Sequence, residues 1–355
     1  MIRRTLLAVT ALLGSISAPA AAGPNDPLRI VQFDFEGGGG TLFVTPNGRT
    51  IMVDSGWPSR PGRAGSAPAI AAAVRAAGAR RIDYLVTTHY HFDHIGGLAE
   101  LVKLVPVGTF VDHGPNREFA PPNRQYDPAT LPEALYPGYE AIVRGKRRSM
   151  RAGETLTVDG VELTALTADR KVLERPLPGA GEPGTACDSG RPFVAATNEE
   201  ENPRSLGIVL RHGKGRVMLL GDATLDVELR LVCPVDLVGR LDLAIASHHG
   251  SGLSNNPPLY ATTRPRVIII PNGERKGGDP EAFRAVAATP GLQGLWQIHE
   301  TNKPGAQNGD RERIANLIGE TPDANRPLLI DLAADGTVTV TNPRNGSTAR
   351  YPRPQ

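Results

Sequence analysis

His89, His91, Asp93 and His94 put four side chains able to bind a metal into six positions, within Thr88-His89-Tyr90-His91-Phe92-Asp93-His94-Ile95-Gly96-Gly97. Five of the chain's eight histidines fall in two short clusters, this one and Ser247-His248-His249-Gly250-Ser251. Imidazole is the commonest metal ligand near neutral pH. His89 and His91 are two apart, so at a strand end both can aim at one ion, as alternate side chains share a face. Asp93 and His94 are adjacent and point in different directions, which suits a second ion better than the first. Imidazole and carboxylate together suit Zn²⁺, with Mn²⁺ or Fe as alternatives. A chance polar run at a helix start is the competing reading, and four such side chains at this spacing outweigh it.

Asp222 closes an apolar run, where a carboxylate is costly unless satisfied. Alone it reads as a helix cap. Beside the histidine clusters it reads as the carboxylate that touches both ions and keeps a close metal pair together. His248 and His249 also end an apolar run. One can bind the second ion while the other holds substrate or moves protons; the sequence leaves the choice open, leaning to His249 as the ligand. Asp93, His248 and His249 are thus the candidates for chemistry as well as for ligation.

The elements that must position these groups are legible from pattern. Residues 28–35 alternate as a strand and run into Gly37-Gly38-Gly39-Gly40; 41–45 and 50–53 flank Pro46-Asn47-Gly48 as a hairpin ending in Asp54. An alanine-rich helix at about 67–77 leads to a strand at 84–88 and the first histidine cluster, and a helix at about 97–105 and a strand at 109–111 follow, so the two strands should run parallel. The second half repeats this. A hairpin, 205–212 and 216–220 about Gly213-Lys214-Gly215, ends in Asp222; a helix at 225–231 and a strand at 241–246 lead to the histidine doublet. Two mixed sheets packed face to face with helices outside is the expected fold, an α/β sandwich. Residues 23–355 are expected to form a single domain, with a Pro- and Arg-rich insertion over the rim at about 115–150 and a long loop at about 169–204.

This combination resembles the metallo-β-lactamase superfamily: HxHxDH at His89 to His94, Gly-Asp at Asp222, and a distal His. The Ser-His-His-Gly-Ser form, with Asn202 and Ser205 before the hairpin, is similar to the ComEC-type hydrolase domain of bacterial DNA-uptake proteins and to exported phosphorylcholine-esterase-like relatives. The resemblance implies a four-layer αββα sandwich, a metal-activated water at the sheet edge, and a buried structural aspartate at Asp54. Many members supply another His between the first cluster and the Gly-Asp motif, where this chain has only His113 and His212. In a regular hairpin Asp222 falls opposite about Leu206, and His212 lies roughly 20 Å away, at ~3.3 Å per residue, as an exposed turn residue. Asn202 then falls near the metals, and the resemblance puts an Asn there too, so the first site is expected to be weak or filled only with substrate bound. His113 and His299 end strands and could reach the same rim as substrate contacts. Arg275 and Lys276, on a loop after a strand, could hold an anionic group.

The rest of the sequence bounds the reading. A chain of 355 residues, 40% hydrophobic, can bury a substantial core. A formal charge of +2 gives no indication of a nucleic-acid partner. Forty glycines and 32 prolines fit a loop-rich α/β enzyme better than a helical bundle. Residues 1–22 look like a cleavable secretory signal: Arg3 and Arg4, an apolar stretch at 6–16, and Ala20-Ala21-Ala22 before Gly23. The mature chain is therefore expected in the periplasm or outside the cell, with no membrane span, and a disulfide between Cys187 and Cys233 is favoured there. The expected activity is hydrolysis at a dinuclear site, first of a phosphate ester or phosphodiester, as the ComEC-type resemblance and the basic loop at Arg275 suggest. A lactam, lactone or thioester is the alternative bond. Metal-dependent binding of a small molecule without turnover is the alternative of another class.

Overall fold

The computed structural model describes residues 26–118, 127–192, 201–320 and 325–354. The expected signal at 1–22 lies outside the described residues. The strands in chain order are β1 (Leu28–Gln32), β2 (Thr41–Val44), β3 (Thr50–Val53), β4 (Ile82–Val86), β5 (Val107–Asp112), β6 (Arg147–Ser149), β7 (Thr155–Val158), β8 (Val161–Ala168) and β9 (Lys171–Val172). They continue as β10 (Gly207–His212), β11 (Gly215–Leu219), β12 (Leu243–Ile245), β13 (Val267–Ile270), β14 (Gly294–His299), β15 (Ile314–Asn316), β16 (Leu328–Leu332), β17 (Val338–Asn342) and β18 (Ser347–Tyr351). The helices are α1 (Ala67–Ala76), α2 (Phe92–Ile95), α3 (Leu98–Leu104), α4 (Pro132–Val143), α5 (Leu225–Val232), α6 (Pro257–Thr263) and α7 (Pro280–Ala287).

Among the described residues these strands form two nine-stranded sheets. The first runs β18-β17-β16-β1-β2-β3-β4-β5-β6, antiparallel as far as β3 and parallel from β3 to β6. The second runs β15-β14-β13-β12-β11-β10-β8-β7, with β9 beside β8, and is parallel from β11 to β15. Side-chain alternation decides the layers. Ile51 and Val53 point into the seam between the sheets, with Leu163, Ile208, Val217 and Leu243 from the opposite sheet. Met52, between them, faces the outer helices with Ile70, Val74 and Leu101. The second sheet does the same: Met218 and Ala244 face Val227 and Leu231 of α5. Strands covered on both faces read as continuous apolar runs rather than alternating ones, as in Ile51-Met52-Val53 and Val267-Ile268-Ile269-Ile270. The expected αββα sandwich of two mixed sheets is the fold.

Three expectations need correction. Residues 127–150 do not lie over the rim: α4 buries Tyr139 and Val143 against the first sheet's outer face, and β6 pairs with β5 as an edge strand. Apolar burial drew this segment into the layer. The β10–β11 turn has two residues, with His212 opposite Gly215, which moves the register by one and sets Asp222 beside Ser205, whose Oγ accepts from the Asp222 N–H at 3.2 Å. His212 is not exposed; it is buried, with Nε2 at 2.9 Å from the Asp26 carbonyl. Cys187 and Cys233 are joined in a disulfide, tying the 169–204 loop to the end of α5.

Candidate metal centre

The parallel strands of both sheets empty onto one edge, and the chemistry-bearing residues follow their carboxyl ends: Asp54 after β3, His89 after β4, Asp222 after β11, His248 and His249 after β12. Ligand sites favour this end of parallel strands. Asp54 adopts φ 61°, a left-handed conformation that turns its carboxylate back under the histidines. Its Oδ1 accepts from the Thr88 N–H at 2.8 Å and its Oδ2 from the Thr88 hydroxyl at 2.8 Å. The same Oδ2 lies 2.7 Å from Nδ1 of His94. A carboxylate can only accept, so Nδ1 carries the hydrogen and the His94 Nε2 lone pair points away from Asp54. Gly39 permits this arrangement: a Cβ there would sit 2.5 Å from His94 Nδ1 and 2.8 Å from Asp54 Oδ2.

His94 Nε2 faces Asp93 Oδ2 at 3.2 Å, Asp222 Oδ1 at 3.4 Å and His249 Nε2 at 3.3 Å. His249 Nε2 lies 3.1 Å from Asp93 Oδ2 and 3.4 Å from Asp222 Oδ2. One ligand atom from each of Asp93, His94, Asp222 and His249 falls within 4.8 Å of the others, and all four residues are buried. His248 approaches the centre at Asp222, with Nε2 at 3.4 Å from Oδ2, and its side chain is 13% exposed against 3% for His249. Both members of the doublet take left-handed φ, 51° and 56°. Two successive non-glycine residues in that region are strained, a condition found where surroundings hold a side chain to a task. On the other side of Asp222, His89 Nε2 is 3.8 Å from Oδ2, wholly buried and without a hydrogen-bond partner.

The charges follow from this crowding. Burial opposes ionisation of Asp222 and Asp93, yet the surrounding imidazoles, and Lys276 at Asp93, hold both well below the usual carboxylate range. Burial also works against a charged His94, but Asp222, Asp93 and Asp54 outweigh it and hold that imidazole well above its ordinary value. Burial and neighbouring His94 push His89 well below. Two ionised carboxylates, an Nε2 on His89 without a hydrogen-bond partner among the described residues, and two ring nitrogens 3.3 Å apart form a donor set in which a cation could replace the proton held at His94. Divalent cations of the N/O-binding kind fit it.

The groups that hold His91 are not legible from sequence pattern. Its Nε2 lies 3.1 Å from Glu118 Oε2, which leaves Nδ1 as the nitrogen that could ligate an ion. Glu118 Oε2 also accepts from the Glu201 N–H at 3.0 Å, and Glu201 Oε2 accepts from the Tyr90 N–H at 3.2 Å. His113 Nε2 meets the same Glu201 oxygen at 3.1 Å; its side chain has no exposed surface, so it braces the His91 loop and does not face substrate. Asn202 is buried at the head of a 3₁₀ turn, Asn202–Arg204, that leads into β10. Lys276 pairs with Asp93, its Nζ 4.9 Å from the centre of the Trp57 ring. Arg275, 86% exposed, stays outside the pocket beside Glu274. His299 turns instead toward Glu36.

A profile of the metallo-β-lactamase superfamily matches residues 36–251, well over half of the chain. The chain belongs to the metallo-β-lactamase superfamily. Solved structures of similar fold include the metallo-β-lactamase fold protein YhfI from Bacillus subtilis, 12% identical over 78% of this chain and 98% of that one, with a TM-score of 0.44. MEM-A1, a subclass B3 metallo-β-lactamase from a soil metagenome library, is 17% identical over 56% of this chain and 65% of its own, at TM-score 0.33. A mutant of the CmlA β-hydroxylase is 16% identical over 78% of this chain and 53% of its own, at TM-score 0.42. The match thus spans under two thirds of the soil enzyme and about half of the hydroxylase. No curated protein matches the chain by sequence. Among the described residues no helix is long and apolar enough to cross a membrane.

Proposed function

We propose that this metallo-β-lactamase superfamily member is an exported hydrolase of phosphate esters or diesters working at a dinuclear, zinc-type centre. His89, His91 and Asp222 would hold one ion; Asp93, His94, His249 and Asp222 would hold the other. When bound, such ions supply Lewis acidity and a water acidic enough to lose its proton near neutral pH. Asp54 and Glu118 fix the ring orientation of His94 and His91. His248, more exposed than His249, is suited to pass a proton to the leaving oxygen.

The observation that carries the choice of bond is Lys276. An ammonium beside Asp93, flanked by the Trp57 ring, puts positive charge on the pocket wall where a substrate's anionic oxygens would lie. The Ser-His-His-Gly-Ser doublet and its likeness to ComEC-type and phosphorylcholine-esterase-like hydrolases support the same bond. Export rests on the first 22 residues and on the Cys187–Cys233 disulfide; residues 23–355 would then be the mature single domain. The test is a panel of bis-p-nitrophenyl phosphate, a phosphomonoester, a chromogenic cephalosporin and a lactone, assayed with chelator-stripped and Zn²⁺-, Mn²⁺- or Fe²⁺-reloaded protein. Preferred turnover of the phosphate compounds, lost on stripping and restored on reloading, is the expected result. Preference for the lactam or lactone would overturn the assignment.

A further inference from the structure

We infer that Asp34, Glu36 and His299 form a second cation site, separate from the histidine pocket and reserved for a structural divalent ion. One ligand atom from each lies within 4.8 Å of the other two. Asp34 and Glu36 follow β1, and His299 ends β14, so the site bridges the two sheets.

The geometry fixes which atoms converge. His299 Nδ1 lies 2.8 Å from the Glu300 carbonyl oxygen, which can only accept. Nδ1 therefore carries the hydrogen of the neutral ring, and Nε2 presents a lone pair. A backbone-carbonyl partner of this kind orients histidines that bind metals. Nε2 stands 3.4 Å from Glu36 Oε1 without forming a hydrogen bond. Glu36 is held in place from three directions: φ is 54°, its N–H donates to Asp34 Oδ1 at 2.8 Å, and its Oε2 accepts from the Glu274 N–H at 3.1 Å. Oε1 is left for the cluster.

Charge supplies the second argument. Asp34 is 2% exposed and His299 7%. Among the described residues no lysine or arginine forms an ion pair with Asp34 or Glu36, whereas Asp93 in the main pocket has Lys276. Burial, with Glu36 nearby, pushes the Asp34 carboxyl up to about 7, and a divalent cation taking the place of that proton would relieve the repulsion between the two carboxylates. Two carboxylate oxygens and one imidazole nitrogen suit Zn²⁺ or Mn²⁺ better than the all-oxygen cages of Ca²⁺.

Such an ion would clamp two loops that wall the catalytic pocket. The Gly39 N–H donates to the Asp93 carbonyl at 2.9 Å, three residues beyond Glu36. Gly273, at the start of the loop bearing Lys276, packs so tightly on Glu36 that a Cβ would meet its backbone at 2.4 Å. The cation's role is to hold Lys276 where substrate arrives.

The experiment counts Zn²⁺ and Mn²⁺, each supplied alone, per folded chain after dialysis, by inductively coupled plasma mass spectrometry. A pocket variant, Asp93→Ala/Asp222→Ala/His249→Ala, should retain one equivalent, and adding Glu36→Gln/His299→Gln should remove it. Circular dichroism checks folding. If the combined variant does not fold, Glu36→Gln/His299→Gln alone is compared with the wild type, where one equivalent fewer is expected. An empty pocket variant, or counts unchanged by Glu36→Gln/His299→Gln, would overturn the site.

Discussion

Glu228 lies on the buried face of α5, beneath the strand end that carries the histidine doublet, with no exposed surface. Burial pushes its carboxyl up to about 7, against the pull of the Ser247 hydroxyl and the Asn256 and Asn255 N–H groups. Its Oε2 accepts from the Asn256 N–H at 2.7 Å, while Oε1 and the Ser247 hydroxyl make no well-formed hydrogen bond. The folded-state value lies above the unfolded one of 4.5. The folded chain therefore binds this proton more tightly, and the associated stability is present below pH ~4.5 and lost as pH rises through about 7. A gap of about 2.5 pH units at about 1.4 kcal/mol each amounts to about 3.5 kcal/mol. Glu228→Gln cannot ionise; its amide oxygen still accepts from Asn256, and its NH₂ can donate toward Ser247. Urea unfolding followed by circular dichroism at pH 5 and pH 8 should give similar stabilities for both proteins at pH 5. At pH 8 the variant should be more stable by about 3.5 kcal/mol. A stability difference equal at the two pH values, or one favouring glutamate at pH 8, would show that the buried carboxyl is already ionised and satisfied.

Glu118→Gln leaves the His91 ring without its carboxylate and should weaken metal binding about 10- to 100-fold, measured by competition with a chromogenic chelator; unchanged affinity would remove Glu118 from the centre. Lys276→Met should lower kcat/KM for bis-p-nitrophenyl phosphate by about 10- to 100-fold, the worth of one hydrogen bond to a charged group, and should spare an uncharged ester. Equal losses on both substrates would mean that Lys276 only supports Asp93. Cys187→Ser/Cys233→Ser opens a loop with a sequence separation of 46 and should cost about 2–4 kcal/mol in urea unfolding. A smaller cost would mean that packing alone holds the 169–204 loop.

What the sequence made legible was local. HxHxDH, Gly221-Asp222 and the doublet are short strings, and each follows an apolar run, so their convergence at strand ends could be anticipated. Glu118 could not: it stands in a stretch without periodicity, and its contact with His91 spans 27 residues. Glu201 reaches Tyr90 across 111 residues. Glu228 did carry a signal. It occupies the apolar stripe of α5 between Leu225 and Leu231, where a carboxylate needs partners. His212 was misjudged because turn length, on which register depends, is not fixed by Gly213-Lys214-Gly215 alone. His299 and Arg275 both end strands or follow them, yet strand position does not give the direction of a side chain beyond the strand.

The candidate ligands are divided between the sheets: His89, His91, Asp93 and His94 from the first, Asp222, His248 and His249 from the second. Neither sheet owns a complete set: the first carries the HxHxDH motif and lacks the carboxylate that would join two ions. An ion bound there would act as a rivet through the seam of the sandwich. A complete centre would thus require both layers of the sandwich to be closed on one another.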